Sequence, residues 1–483
     1  MKKVLSSLLC LSMIVSLTAC SSGNPAPAPS ETQAVQTTAG GVTDETTAAQ
    51  AESGQAVVSG EPVYINPDAA NMTGTVRFWT AFDGQYGTAN LIKDFNEYYP
   101  NITVEYNVYS NNTEGNLKVD TAMMAGELDA LLSFNTYNTA ARWENNMLLD
   151  LTDRLAADNL DLDAEWDGGG YLYNGRAYAI PSGGLSVFVA VNMRRWEEAG
   201  LGDLPTEWTW DEYIEACRKM TEKDASGETI VYGGTDFNQR DYWTYMLRQS
   251  KGVDALYNSE GYADFDNPLC AKIFQRYKDC EEEGIWFSKM DLISNSQKSR
   301  DLLWNENVAS CVESIITRFV TDTEKYPHDF ILGYAPYPIN EPGETNYALG
   351  NMPNSFFCVP QNAQDPDAAY EFIKFASTYG GKYLYMAGHT TTWTKTDPNE
   401  IVDLVFGSAE EAAKWIDVDS YIANVLAVGA PAYHEERVTA YNEIYTIMAE
   451  YTDYILNGSM SIEEGLAEMN ELCNEAIEEK MNE

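Results

Sequence analysis

Histidine and positive charge are scarce in this chain of 483 residues. Its three histidines, His328, His389 and His434, are scattered, and no Cys-x-x-Cys spacing occurs, so a zinc site has little support. Thirty Lys and Arg stand against 74 Asp and Glu, a formal net charge of −44. Such a surface repels phosphate backbones and anionic lipid headgroups, which argues against a nucleic-acid partner and against docking on a membrane face. No internal repeat at solenoid periods is visible. The apolar run from Val4 to Leu17 is too short and too early to be a spanning helix.

Eight cysteines are present, but two lie within the first twenty residues. The others are Cys217, Cys270, Cys280, Cys311, Cys358 and Cys473. Cys270 and Cys280 fall in one predicted helix, where ten residues span about 15 Å, so they do not pair with each other. Other pairings stay open.

The N-terminus reads as an export signal. Lys2 and Lys3 precede the apolar run, and Leu17-Thr18-Ala19-Cys20 resembles a bacterial lipobox. That resemblance implies a signal peptide over 1–19, cleavage before Cys20, lipid on its sulfur, and an extracytoplasmic protein held at the cell membrane. From Ser21 to about Gly60 the chain is Ser, Thr, Ala, Gly, Pro and Gln with almost no large apolar residue, the composition of a disordered tether. Forty such residues reach roughly 35 Å by random-coil scaling.

The remaining body exceeds what one compact core usually holds, so two lobes are expected. Thr75 to Thr80 is a strand, and Leu91, Ile92, Phe95 and Tyr98 mark one face of a helix ended by Pro100. Ile102 to Tyr106 alternates as a second strand, Asp120 to Gly126 is helical, Asp129 to Phe134 is a third strand, and Thr136 to Asn146 is helical. This order predicts parallel pairing with right-handed crossovers. Thr209-Trp210-Asp211-Glu212 and Ser461 to Glu464 read as capping boxes, and Asp365-Pro366 as a further helix start. Trp208 and Trp210 flank Thr209 as a hydrophobic staple. Asp163, Glu165, Asp167, Gly168 and Asn174 nearly fit calcium-loop spacing, but the bidentate glutamate position holds Asn174, so a solvated acidic turn is the better reading.

Several segments, in order, carry a family resemblance: Trp79 with Asp83-Gly84 and Pro100-Asn101-Ile102-Thr103-Val104, then Ala125-Gly126-Glu127-Leu128-Asp129-Ala130. Asn174-Gly175-Arg176-Ala177-Tyr178-Ala179-Ile180-Pro181, Gly333-Tyr334-Ala335-Pro336 and Pro366-Asp367-Ala368-Ala369-Tyr370-Glu371-Phe372-Ile373 continue it. Together they resemble the family 1 extracellular solute-binding proteins of ABC importers, the maltose-binding-protein-like group. The pattern departs at Met193-Arg194-Arg195 and Asn305-Glu306-Asn307.

The resemblance implies an α/β protein of two doubly wound lobes joined by a multi-strand hinge, periplasmic-binding-protein-like, type II. It places the tether over 20–70, lobe 1 at 71–180 plus 314–376, and lobe 2 at 181–313 plus 377–483. Ligand contacts are then expected from loops that follow strands: Trp79, Asp83, Asn135, Tyr242, Trp243, Glu313, Arg318, Asn351 and Trp393, with Phe82, Tyr86, Ser133, Tyr137, Asp241, Ser314 and Gly350 nearby. Aromatic faces cover the apolar side of a pyranose while Asp, Asn, Glu and Arg pair its hydroxyls. Trp243 and Asp83 are expected to meet the ligand from opposite lobes. The implied function is capture of a carbohydrate, an oligosaccharide in particular, by a non-enzymatic, cofactor-free monomer that delivers it to ABC permease subunits. Two alternatives stay open: the same fold binding a polyamine or peptide, and a secreted glycoside hydrolase, since 74 acidic residues leave room for a catalytic carboxylate pair.

Overall fold

The computed structural model describes residues 62–170, 172–349, 352–426 and 437–482. Cys20, the lipobox, the tether to residue 61, Gly350 and Asn351 lie outside these residues.

The body opens with β1 (Gly74–Thr80), α1 (Thr88–Tyr98), β2 (Ile102–Val108), α2 (Thr113–Ala125), β3 (Ala130–Phe134) and α3 (Thr136–Glu144). Three short strands follow, β4 (Ile180–Pro181), β5 (Gly183–Leu185) and β6 (Phe188–Asn192). Then come α4 (Trp210–Met220), α5 (Trp243–Lys251), α6 (Pro268–Glu283), β7 (Ser310–Glu313) and β8 (Leu332–Pro336). The chain closes with β9 (Met352–Pro353), β10 (Ser355–Cys358), α7 (Pro366–Ser377), β11 (Thr390–Thr391), α8 (Tyr441–Leu456) and α9 (Ile462–Asn482).

Two hydrophobic cores result. In the first, β1 pairs parallel with β2 and β3, and β10 joins β3 antiparallel with β4 beyond it. The strand order β2-β1-β3-β10-β4 puts β3 in the middle, where all five residues are buried. That burial explains its mostly apolar run A-L-L-S-F, in which the one polar residue, Ser133, is hydrogen-bonded to Thr139 and Arg142. Helices α1 and α7 cover the sheet through Phe95 and Phe372, whose rings meet edge to face at 5.2 Å, while Phe78 of β1 touches Phe372 at 4.9 Å. Arg77 and Asp129 tie β1 to the start of β3 through charge-assisted bonds of 2.7 and 2.8 Å.

The second core is built on the antiparallel sheet β7-β6-β8, flanked by α4, α5, α6, α8 and α9. The Thr209 capping box forms, with Glu212 N donating to Thr209 Oγ1 at 3.3 Å and Thr209 N to Glu212 Oε2 at 2.7 Å. The staple partner of Trp208 is Tyr213, 5.0 Å away, whereas Trp210 is buried against Trp286 and Tyr337.

Three short strands connect the cores: β5 lies between β9 and β11, all antiparallel. A Cβ on Gly183 would stand 3.0 Å from both Ser355 Oγ and Thr390 O, so any side chain at this crossing would push its neighbours aside. The segment 314–349, expected with the first lobe, packs in the second core through Ile316, Phe319, Leu332 and Tyr334. Conversely, Tyr379, Tyr383, Leu384 and Trp393, expected in the second lobe, pack in the first. Strand pairing is the cause, because β8 can complete only the β6 sheet and β11 returns the chain to β5.

Candidate functional site

Between the cores lies a cavity of about 740 Å³. From the first core it is lined by residues that directly follow parallel strands: Ala81 and Phe82 after β1, Tyr109 to Asn111 after β2, and Asn135 to Tyr137 after β3. Ligands of open α/β sheets bind at this carboxyl edge. Asn135 has a positive φ of 66° with ψ 136°, a strained backbone outside the left-handed helical region, and its amide donates to Tyr137 Oη at 3.0 Å. Tyr109 Oη donates to Leu132 O at 2.8 Å, which holds its ring at the cavity base.

The second core contributes an aromatic wall. Phe237 and Tyr242 stack with ring centroids 4.2 Å apart and planes 19° apart, and Tyr245 meets Tyr242 edge-on at 5.3 Å. Arg248 lies 5.8 Å from the Tyr245 ring centre and donates to Thr244 Oγ1 at 2.5 Å and Tyr445 Oη at 3.1 Å. Tyr441 Oη donates in turn to Tyr445 Oη at 3.2 Å. Under the wall, buried Asp236 pairs with Lys289 and accepts from Tyr277 Oη at 2.5 Å, while Lys289 Nζ also donates to Phe237 O at 3.1 Å. That buried pair fixes the loop carrying Phe237.

Three groups at the hinge side complete the lining. Ser314 follows β7, Arg318 lies in the next turn, and His389 precedes β11. Burial, and then the positive Arg318, holds His389 down at about 3, so its ring is neutral. Burial also lowers Arg318, with Arg300 adding to the effect. Burial raises the Asp241 carboxyl, against the pull of Lys289 and Arg248, and raises Tyr242 and Tyr137.

Of the expected contacts, Asn135, Tyr242 and Arg318 line this cavity, with Phe82, Tyr137, Asp241 and Ser314. Of the others, Gly350 and Asn351 lie outside the described residues, and the following stand elsewhere. Trp243 is fully buried in the second core against Phe265 and Phe274, one helical step round from Tyr242. Glu313 is fully buried too, accepting from Ser299 Oγ, Arg300 and the amides of Ser314 and Ile315. Trp79 points to the other side of β1 from Phe78 and packs against the first core. Asp83 is exposed and caps the turn at Gly84, accepting from Gly84 N at 2.6 Å. Trp393 packs beside Trp166, its indole donating to Glu165 Oε2 at 3.4 Å. Glu165 is further engaged by Tyr64 and Lys395, so it is committed within the acidic turn. Among the described residues no cluster of His, Cys, Asp and Glu is arranged to hold a metal ion.

The sequence reading missed Phe237, Tyr245, Arg248, His389, Tyr441 and Tyr445. The spacing of Tyr242, Tyr245 and Arg248 at three-residue steps, and of Tyr441 and Tyr445 at four, is the signal that marks one helix face.

Residues 82–383 match the family model for the bacterial extracellular solute-binding protein. No match is found among curated proteins. Solved structures with this fold include a sugar transporter from Rhizobium etli in an open conformation (18% identity, 83% of this chain and 98% of that one, TM-score 0.66). An ABC substrate-binding protein from Listeria monocytogenes in complex with cycloalternan is 17% identical over 84% of this chain and 100% of that one, with a TM-score of 0.63. The sugar-binding protein MalE from Xanthomonas citri is 17% identical over 84% and 98%, with a TM-score of 0.61. The fold is therefore the two-lobed, type II periplasmic-binding-protein-like one, and with most of its body matched by the family model the chain belongs to the bacterial extracellular solute-binding proteins.

Proposed function

We propose that this chain is the substrate-binding component of an ABC importer and that it captures a carbohydrate between its lobes. The observation that carries the reading is the aromatic wall of Phe237, Tyr242 and Tyr245 facing Asn135 and Tyr137 across the cavity. Rings of this kind cover the C–H face of a pyranose, while amide, hydroxyl and charged groups pair its hydroxyls. A volume of about 740 Å³ suits an oligosaccharide better than one sugar ring. Structural neighbours described as sugar-binding or solved with cycloalternan support the same class. Arg248 and Arg318 oppose a polycation, which ranks a polyamine below a sugar.

Cleavage before Cys20, a lipid on its sulfur and the linker that follows would hold a monomer at the outer face of the membrane, where it delivers ligand to the permease; the linker ends before Tyr64, Ile65 and Ala69, which pack with the first core rather than in the tether expected to residue 70. Capture and release need no catalytic step. Calorimetric titration against mono- and oligosaccharides, with thermal shifts alongside, tests the reading. A ligand at a hundredfold its Kd adds about 2.7 kcal/mol to stability. Failure of every saccharide to bind, with a peptide binding instead, would replace the carbohydrate.

A further inference from the structure

The charge of the cavity runs against the charge of the chain. In a protein of formal net charge −44, the charged groups among the described lining residues are Asp241, Arg248 and Arg318, two cations to one acid. Asp241 and Arg248 belong to the aromatic wall, and Arg248 is engaged by Thr244 and Tyr445.

Arg318 is different. Its guanidinium lies 4.5 Å from the centre of the Phe319 ring and 5.2 Å from that of Tyr86, so it sits between the two cores. One nitrogen donates to Ala387 O at 3.2 Å, Nε is buried without a partner, and among the described residues it forms no ion pair. The carboxylate five residues earlier, Glu313, is already committed to Arg300 at 3.1 Å. Most other arginines of the chain, such as Arg77, Arg142, Arg240 and Arg300, do hold a carboxylate. Beside Arg318 stands His389, whose ring is 7% exposed and makes no hydrogen bond among the described residues, Nδ1 being buried and unpartnered. A largely buried cation with no ion pair of its own, next to an unsatisfied imidazole, is costly unless a bound group supplies the missing acceptor.

We propose that the ligand carries a carboxylate, as a uronic acid or an oligomer containing one does, and that Arg318 binds it with His389 alongside. This rests on the carbohydrate reading above. The carboxylate pairs with the guanidinium edge that Ala387 leaves free, and the neutral imidazole adds a hydrogen bond to the same sugar unit. The aromatic wall then takes the ring faces of this or the neighbouring unit.

The test is titration of the purified protein with galacturonate, glucuronate and their short oligomers, beside the neutral counterparts and galactose 6-phosphate. The acidic members should bind at least tenfold more tightly than the neutral ones. Arg318→Gln should abolish that preference, and Arg318→Lys, which keeps the charge, should retain part of it and serves where the Gln variant does not fold. Neutral sugars binding as tightly as acidic ones overturns this inference and leaves the carbohydrate reading intact. Selective binding of the phosphate ester overturns the carboxylate. Binding of no saccharide in either series overturns both readings.

Discussion

The indole Nε1 of Trp243 donates to Thr452 Oγ1 at 3.1 Å, joining α5 to α8 inside the second core. The bond spans 209 residues of sequence, and both side chains are fully buried. Trp243 is therefore a structural anchor for the helix whose other face carries Tyr242 and Tyr245. Trp243→Ala should lower stability by about 3 to 5 kcal/mol, the usual cost of truncating a buried large aromatic. Urea unfolding of the unliganded protein measures it, and an unchanged midpoint would contradict this role.

Tyr137 gives the opposite expectation. It lines the cavity with 38% of its surface exposed, so its removal leaves the core alone. Tyr137→Ala should weaken saccharide binding about fivefold to tenfold, by the loss of one stacking or hydrogen-bonding partner, with little change in the unliganded melting temperature. Calorimetry and a melting curve on the same sample separate the two effects.

His389 predicts a pH dependence. In the folded protein it stays neutral down to about pH 3, whereas in the unfolded chain it takes a proton near its ordinary value of 6.5. The unfolded state thus binds more protons across that window, and stability falls as pH drops from about 6.5 toward 3. The full span is on the order of 5 kcal/mol. Urea titrations from pH 7 to pH 4 should show a shallower acid decline in His389→Gln than in the wild type. Parallel declines would remove His389 as a cause.

The buried pair of Asp236 and Lys289 should behave asymmetrically. Lys289→Met strands a carboxylate with no surface exposure on its side chain and should cost about 3 to 5 kcal/mol, whereas combining it with Asp236→Leu should recover much of the loss. Denaturant unfolding of the two variants checks the order.

Cys20→Ala tests the anchor. The variant should appear in the soluble fraction or retain its signal segment, because stable anchoring needs more than one acyl chain. Wild-type protein found soluble and without lipid would remove the anchor from the proposal.

The first lobe's opening and the start of α4 in the second core were legible because their signals are local. Alternation in T-V-R-F-W-T, the helix face of Leu91, Ile92 and Phe95, and the Thr209 capping box each depend on residues a few positions apart, and all appear as read. The helix read over Asp120 to Gly126 begins earlier, at Thr113, because the Asn112 side chain accepts from Gly115 N at 2.8 Å and caps it. The site was legible only where a strand ends. Asn135 follows β3, but Glu313 is the last residue of β7 and turns inward, and Trp79 is one residue short of the end of β1. Trp243 was misread by one step of helical phase, which separates Tyr242 at the cavity from Trp243 in the core. His389, Tyr441 and Tyr445 reach the cavity through packing across the whole chain, and no local pattern ties them to β3.

The interleaving of the two cores sets the order in which they can be finished. Buried residues of the first core end at Trp393, whereas those of the second continue to Ile477. A chain emerging N-terminus first therefore holds every buried residue of the first core before α8 and α9 have appeared. At that stage α5 and α6 lack the two helices that pack against them, and the apolar faces left open are the surface through which a half-made chain would aggregate.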